Sequence, residues 1–175
     1  MARTFPQARN TGLDLNPQAL KYGAVNARLA GTTVEFLESN LYASVPSSLH
    51  ESGGVDPIVS NPPYIASCED GKDLPVYADG GANFGLDISM RIVEEGRDIL
   101  SRNGMLMIYT GVAVPVTNPG LDPFLERIRK VEGVELVEYT VLHPDMWPEE
   151  IGMGAYAEVG RIQAVGAVLK RRDGA

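Results

Sequence analysis

The chain has 175 residues and a formal net charge of −8, with 44% hydrophobic and 22% charged residues. This length predicts one domain with a real core, residues 1–175. No apolar run could span a bilayer, the N-terminus lacks the apolar segment of a secretory signal, and the single cysteine, Cys68, excludes an internal disulfide. We therefore expect a cytoplasmic protein. The acidic charge disfavours nucleic acid as a partner, because neutralisation of phosphates dominates that affinity.

The N-terminal part of the sequence alternates strands and helices. Asn16 and Pro17 predict a helix start, with asparagine at the N-cap and proline at the first helical position, and Gly31 is a plausible stop. Residues 44–54 predict a loop with one helical turn. Three short apolar runs predict strands: Thr11–Leu15, Thr33–Glu38 and Pro57–Asn61.

The rest of the chain continues this alternation after a long loop, Pro62 to Phe84. Further helices are predicted at Leu86–Arg102 and Pro123–Val131, and further strands at Met105–Thr110, Val134–Leu142 and Arg161–Lys170. The last two strands could pair as an antiparallel hairpin. The pattern predicts a three-layer α/β domain with a mostly parallel sheet, whose ligand crevice lies at the carboxyl ends of the strands.

Polar residues fall at three of these strand ends. They are Asp14, Asn40 and the tetrapeptide Asn61-Pro62-Pro63-Tyr64. An acidic residue that ends a strand of a nucleotide-binding sheet can accept hydrogen bonds from ribose hydroxyls. A cap for the helix that starts at Pro17 is the alternative reading of Asp14.

The tetrapeptide predicts a stiff corner with specific chemistry. The two prolines cannot donate to a sheet, so the strand must end there. The corner then presents two acceptors, the side-chain oxygen of Asn61 and the carbonyl of Pro62, beside the flat ring of Tyr64. These groups suit a planar NH2 group, which would be positioned for attack on an electrophile. A plain Pro-Pro turn is the alternative.

The motif and its order resemble the class I S-adenosylmethionine-dependent methyltransferases that modify planar nitrogens. The closest resemblance is to the protein-(glutamine-N5) methyltransferases that modify peptide release factors. The matching segments are "GLDLNPQALKYGAVNARLAG", "VEFLESNLYASV", "VDPIVSNPPYI" and "YADGGANFGLDISMRIVEEGRDILSRNGMLMI". Adenine-N6 and guanine-N2 methyltransferases share the tetrapeptide, whereas "DGGANFGLD" favours the glutamine group. The C-terminal "HPDMWPEEIGMGAYAEVGRI" does not match it.

For the cofactor, S-adenosyl-L-methionine, the resemblance implies residues at each strand end. Asp14 would hold the ribose, Asn40 with Leu41 would lie by the adenine, and Asn61 would border the site. Many relatives have aspartate at the position of Asn40, but the amide oxygen of asparagine can also accept a hydrogen bond.

For the methyl acceptor, the resemblance implies that the corner is catalytic and binds the substrate. Asn61 and Pro62, with Pro63 completing the corner, would bind the amide NH2, and Tyr64 would stack on it. Ile65 would help to form the wall of the pocket. No metal is implied.

The family's first strand ends in a glycine-rich loop that should lie upstream of Thr11. "MARTFPQARN" contains no glycine. The expectation is therefore an N-terminally truncated domain that lacks its first strand and exposes a sheet edge. A homodimer could form through such an edge.

The sequence leaves three functions open. The first is an N-methyltransferase whose acceptor is a protein glutamine side chain, for example of a release factor. The second acts on an amino group of a base in nucleic acid, which would have to be flipped out of a duplex. The third is a catalytically incomplete fragment or a non-enzymatic binding subunit.

Two other groups of residues carry less weight. The stretch Asp79-Gly80-Gly81 could anchor a substrate loop or form a lid, although a turn explains it as well. For the C-terminal residues we expect a solvated acidic loop rather than a metal site, and core packing rather than a substrate groove. The solvated loop is predicted for His143, Asp145, Glu149 and Glu150. Core packing is predicted for Met146, Trp147 and Met153.

Overall fold

The computed structural model describes residues 1–67 and 74–172. Cys68 and the part of the long loop from residue 68 to 73 therefore lie outside the described residues. The chain divides into two compact units, Met1–Leu49 and His50–Ala175. Within the described ranges, no helix combines the length and the apolarity that crossing a membrane requires.

The first unit contains a two-stranded parallel sheet and one long helix. Its elements are β1 (Thr11–Asp14), α1 (Pro17–Leu29), β2 (Glu35–Glu38) and the start of α2 (Ser47–Glu51). The side chain of Asn16 accepts a hydrogen bond from the backbone of Gln18 at 2.9 Å, and Gly31 has a φ of 64°. These observations confirm the predicted start and stop of α1.

The second unit contains a four-stranded mixed sheet. Its elements are β3 (Ile58–Ser60), the single turn α3 (Ala82–Gly85), α4 (Asp87–Ile99), β4 (Met105–Pro115), α5 (Pro123–Ile128), β5 (Val134–His143) and β6 (Val159–Arg171). The strand order is β3-β4-β6-β5, with β3 parallel to β4 and β6 antiparallel to both of its neighbours. The parallel pairs and the antiparallel hairpin β5–β6 confirm the predicted α/β class.

The core of this unit forms between α4 and the sheet. One face of α4 is buried, and the hydroxyls of Ser89 and Thr110 form a buried hydrogen bond of 2.7 Å between α4 and β4. On the sheet, Leu106, Val112 and Leu169 are almost completely inaccessible to solvent. Each fully buried aliphatic side chain stabilises the fold by roughly 1.5–3 kcal/mol.

The strand β4 is longer than the sequence predicts. It continues beyond Thr110 to Pro115, because residues 111–114 are buried and pair with β6. The helices α4 and α5 end earlier, at Ile99 and Ile128. After α4 the chain turns into an extended conformation at Leu100, which is fully buried.

Candidate functional site

The predicted corner lies at the carboxyl end of β3. The strand pairs with β4 as far as Ser60, and Asn61 is then exposed while Pro62 is buried. Among residues 1–67 and 74–172, none forms a hydrogen bond to the side chain of Asn61 or to the carbonyl of Pro62. Both groups therefore keep unused capacity to accept a hydrogen bond, and the side chain of Asn61 is exposed to solvent.

The backbone after the corner is held by the segment that precedes α4. The N–H of Ile65 donates to the carbonyl of Ala78 at 3.0 Å, and the N–H of Gly80 donates to the carbonyl of Ile65 at 2.9 Å. A side chain at Gly80 would place its Cβ 2.7 Å from the Cα of Tyr64, and a side chain at Gly85 would collide with the carbonyl of Tyr64. The glycines are needed because two backbones touch here.

The ring of Tyr64 is confined by two aromatic residues. Its centroid lies 5.9 Å from that of Trp147 in a stacked arrangement with an interplanar angle of 19°. Tyr109 approaches edge-on, with a centroid distance of 5.8 Å and an angle of 66°. Burial, reinforced by Tyr109, raises the pKa of Tyr64 to about 12. The ring therefore remains neutral at physiological pH.

The connection between β5 and β6 packs against the corner, a contact that sequence reasoning did not find. The hydroxyl of Tyr156 accepts a buried hydrogen bond from the N–H of Ala66 at 2.9 Å. Met146 and Trp147 pack on the core cluster that contains these two residues, so core packing is confirmed for them. It is wrong for Met153, which is 57% exposed.

The predicted cofactor residues lie in the first unit, at the carboxyl ends of β1 and β2. One carboxylate oxygen of Asp14 accepts from the N–H of Asn16 at 2.8 Å, so the capping role is present. Its other oxygen has no partner among the described residues and can accept from a ribose hydroxyl. Asn40 is exposed, and Leu41 adopts a left-handed φ of 50°. These hydrogen-bond acceptors, on Asp14 and Asn40, are of the kind that the ribose hydroxyls and the adenine amino group of the implied cofactor need.

The remaining candidates form local contacts. Asp79 accepts hydrogen bonds from the hydroxyl of Ser67 and from the N–H of Gly81, so it ties the two sides of the long loop together. His143 accepts from the N–H of Asp145 at 3.2 Å. Within the described part of the chain, no three His, Cys, Asp or Glu side chains are grouped closely enough to hold a metal ion.

Proteins that carry functional names are similar in sequence to this chain. No family model matches the chain. It is 35% identical over 113 residues to the release factor glutamine methyltransferase of Deinococcus radiodurans. The matched region makes up 59% of this chain and 37% of the relative. It is 31% identical over 121 residues to the same enzyme of Koribacter versatilis, with 65% and 42% covered. The chain is therefore similar in sequence to protein glutamine methyltransferases over part of their length.

Another glutamine methyltransferase in this group carries a different name. The ribosomal protein uL3 glutamine methyltransferase of Bordetella pertussis is 28% identical over 118 residues, with 63% of this chain and 38% of the relative covered. The chain therefore spans about two fifths of the length of the relatives that it matches.

Solved structures agree with this relationship at the level of the fold. A methyltransferase from Pyrococcus furiosus matches with a TM-score of 0.57 and 18% identity, over 99% of this chain and 68% of that one. The SMU.776 methyltransferase, solved in complex with SAH, matches with a TM-score of 0.50 and 16% identity, over 93% and 39%. These similarities confirm the predicted Rossmann-like methyltransferase fold.

Gly111 limits the space available to the Tyr64 ring. A Cβ at Gly111 would lie 2.7 Å from Cδ2 of Tyr64, so Gly111→Ala must displace the ring. We expect a loss of roughly 1–3 kcal/mol in unfolding free energy, measured by chemical denaturation. Gly166→Ala in β6 is the matched control, because its Cβ meets only Leu142, at 3.4 Å. Equal stability of Gly111→Ala and Gly166→Ala would show that the Tyr64 ring tolerates the added Cβ.

Proposed function

We propose that the chain is an S-adenosylmethionine-dependent N-methyltransferase whose acceptor is the side-chain amide of a protein glutamine. One observation carries the proposal: the side chain of Asn61 and the carbonyl of Pro62 have no partner among the described residues, and Tyr64 follows two residues after Pro62. Two free acceptors beside an aromatic ring complement a planar NH2 group.

The chemistry assigned to the corner is positioning. The two hydrogens of the amide would be donated to Asn61 and Pro62, and the neutral ring of Tyr64 would lie on the amide plane. This arrangement directs the nitrogen lone pair out of the plane. When bound, S-adenosylmethionine would supply an electrophilic methyl group and leave as S-adenosylhomocysteine, and the methylated nitrogen would lose one of its two protons to solvent. The residues of the corner hold the acceptor in one orientation, and orientation alone can lower a barrier by several kcal/mol, up to roughly 7–11.

Two considerations favour a protein acceptor over a base in nucleic acid. The similar proteins bear names of glutamine methyltransferases that act on a release factor or on a ribosomal protein. The net charge of −8 also opposes the phosphate contacts that dominate binding to nucleic acid. A protein partner with an accessible glutamine is therefore the acceptor we propose.

For the cofactor, we propose that the free oxygen of Asp14 holds the ribose and that Asn40 and Leu41 lie by the adenine. We expect calorimetric titration with S-adenosylhomocysteine to show binding by the chain and weaker binding by Asp14→Ala. Asp14→Asn is the matched control for the cap, because its side-chain oxygen can still accept from the N–H of Asn16. Equal affinity of all three proteins would reject the ribose role.

The acceptor is tested by methyl transfer from radiolabelled S-adenosylmethionine. The two substrates are a glutamine-bearing release-factor protein and the same protein with that glutamine replaced by glutamate. We expect label in the first only. Label in both, or label in DNA or RNA instead, would reject a glutamine acceptor.

A further inference from the structure

Trp147 covers one face of the Tyr64 ring, on which the proposed function places an amide. It is stacked on Tyr64 with ring centroids 5.9 Å apart and planes inclined by 19°. Carbon atoms in contact lie about 3.5–4.0 Å apart, so a planar group between two rings needs a separation of about 7 Å. The two rings are too close for an amide to enter between them. An acceptor that stacks on this face of Tyr64 must displace Trp147.

The backbone on either side of Trp147 is fixed at defined points. The N–H of Met146 donates to the carbonyl of Ile162 at 2.7 Å, and the hydroxyl of Tyr156 is bonded to Ala66. After Trp147 the chain makes a short 3-10 turn, Pro148–Glu150. The anchor at Met146 is one residue away, so movement of Trp147 means rotation of its side chain rather than opening of the whole connection.

Of the residues around the Tyr64 ring, Trp147 is the one whose side chain can move. Tyr109 belongs to β4, and Gly111, where an added Cβ would lie 2.7 Å from the ring of Tyr64, is buried in the same strand. Trp147 is half-buried and lies outside the regular strands. Because side chains at the surface change rotamer faster than strands rearrange, the face covered by Trp147 can be exposed by rotation of that side chain.

We propose that Trp147 is a specificity-determining residue of the acceptor site, which covers Tyr64 in the free chain and gives up that face to a planar carboxamide. This inference rests on the proposed function, because it assumes that Tyr64 receives an amide. An acceptor must then compete with an aromatic ring, which selects for planar groups that stack well. Flexible aliphatic groups lose this competition.

The test uses Trp147 itself, because it is the only tryptophan of the chain. A glutamine-containing peptide and the same peptide with glutamate are titrated into the chain in the presence of S-adenosylhomocysteine. Heat and tryptophan emission are recorded together. We expect binding of the glutamine peptide to shift the emission to longer wavelength and to increase quenching by acrylamide. The glutamate peptide should produce neither change.

Variants at this position separate displacement from a structural role. Trp147→Ala should bind the glutamine peptide roughly 2- to 10-fold more tightly, since no ring has to leave Tyr64. Trp147→Phe should return to the affinity of the unmodified chain. A residue that only supports the fold would instead give weaker binding in Trp147→Ala.

Each outcome decides the matter. If the glutamine peptide binds with unchanged emission, or binds more weakly to Trp147→Ala, the inference fails while the glutamine acceptor stands. If the peptide binds only to Trp147→Ala, the covering role is supported. If it binds to neither protein although S-adenosylhomocysteine binds, the glutamine acceptor is rejected and the inference is rejected with it.

Discussion

Asn61→Ala should lower methyl transfer by roughly 10²- to 10³-fold, the size of effect seen when one oriented hydrogen-bonding group is removed from an active site. The change deletes one of the two proposed acceptors for the amide. The side chain of Asn61 is exposed and has no hydrogen-bond partner among the described residues, so the fold loses nothing with it. The measurement is kcat/KM with a glutamine-bearing protein, together with chemical denaturation.

The expected pattern is a specific loss. Unfolding free energy should change by no more than about 0.5 kcal/mol, as for other surface substitutions, and affinity for S-adenosylhomocysteine should be retained. Asn118→Ala is the matched control, because Asn118 is also exposed and its side chain has no hydrogen-bond partner in the described part of the chain. An Asn61→Ala protein that is as active as Asn118→Ala would remove the corner from the mechanism.

Gly85→Ala should destabilise the backbone packing that holds the corner in place. Gly85 has a φ of 83°, a conformation that costs a residue with a Cβ roughly 1–2 kcal/mol. Its Cβ would also meet the backbone of Tyr64, which cannot move without shifting the corner. Together with overpacking, we expect a loss of roughly 2–5 kcal/mol in unfolding free energy and a strong loss of activity.

Gly53→Ala separates the two causes. Gly53 has a φ of 99°, and no atom lies within 4 Å of a Cβ built there. It should therefore show only the backbone cost, about 1–2 kcal/mol, and normal activity. If both variants lose the same stability and the same activity, contact between Gly85 and Tyr64 does not support the site.

The local elements were predictable because their signals are local. The N-cap at Asn16, the stop at Gly31 and the end of β3 at the two prolines follow from backbone chemistry within a few residues. The place of Asn61 at the end of a strand was equally predictable, since it needs only the apolar run before it and the prolines after it. These features require no knowledge of distant parts of the chain.

The surroundings of Tyr64 were not predictable, because they come from distant residues. Trp147 lies in a stretch that matches no motif, and its stacking depends on how β5 and β6 pair. The close approach at Gly85 likewise depends on the backbone of Tyr64 rather than on a turn of its own. A glycine in sequence signals freedom of the backbone, but it does not indicate which neighbour requires that freedom.

The hydrogen bond between Ala66 and Tyr156 joins residues 90 positions apart. Contacts of such large separation form slowly, because a long loop must close before they stabilise anything. During synthesis, the tetrapeptide leaves the ribosome well before the residue that holds the backbone behind it. We therefore expect the backbone behind the corner to be fixed late, and nascent chains that end before Tyr156 to lack the hydrogen bond that holds Ala66.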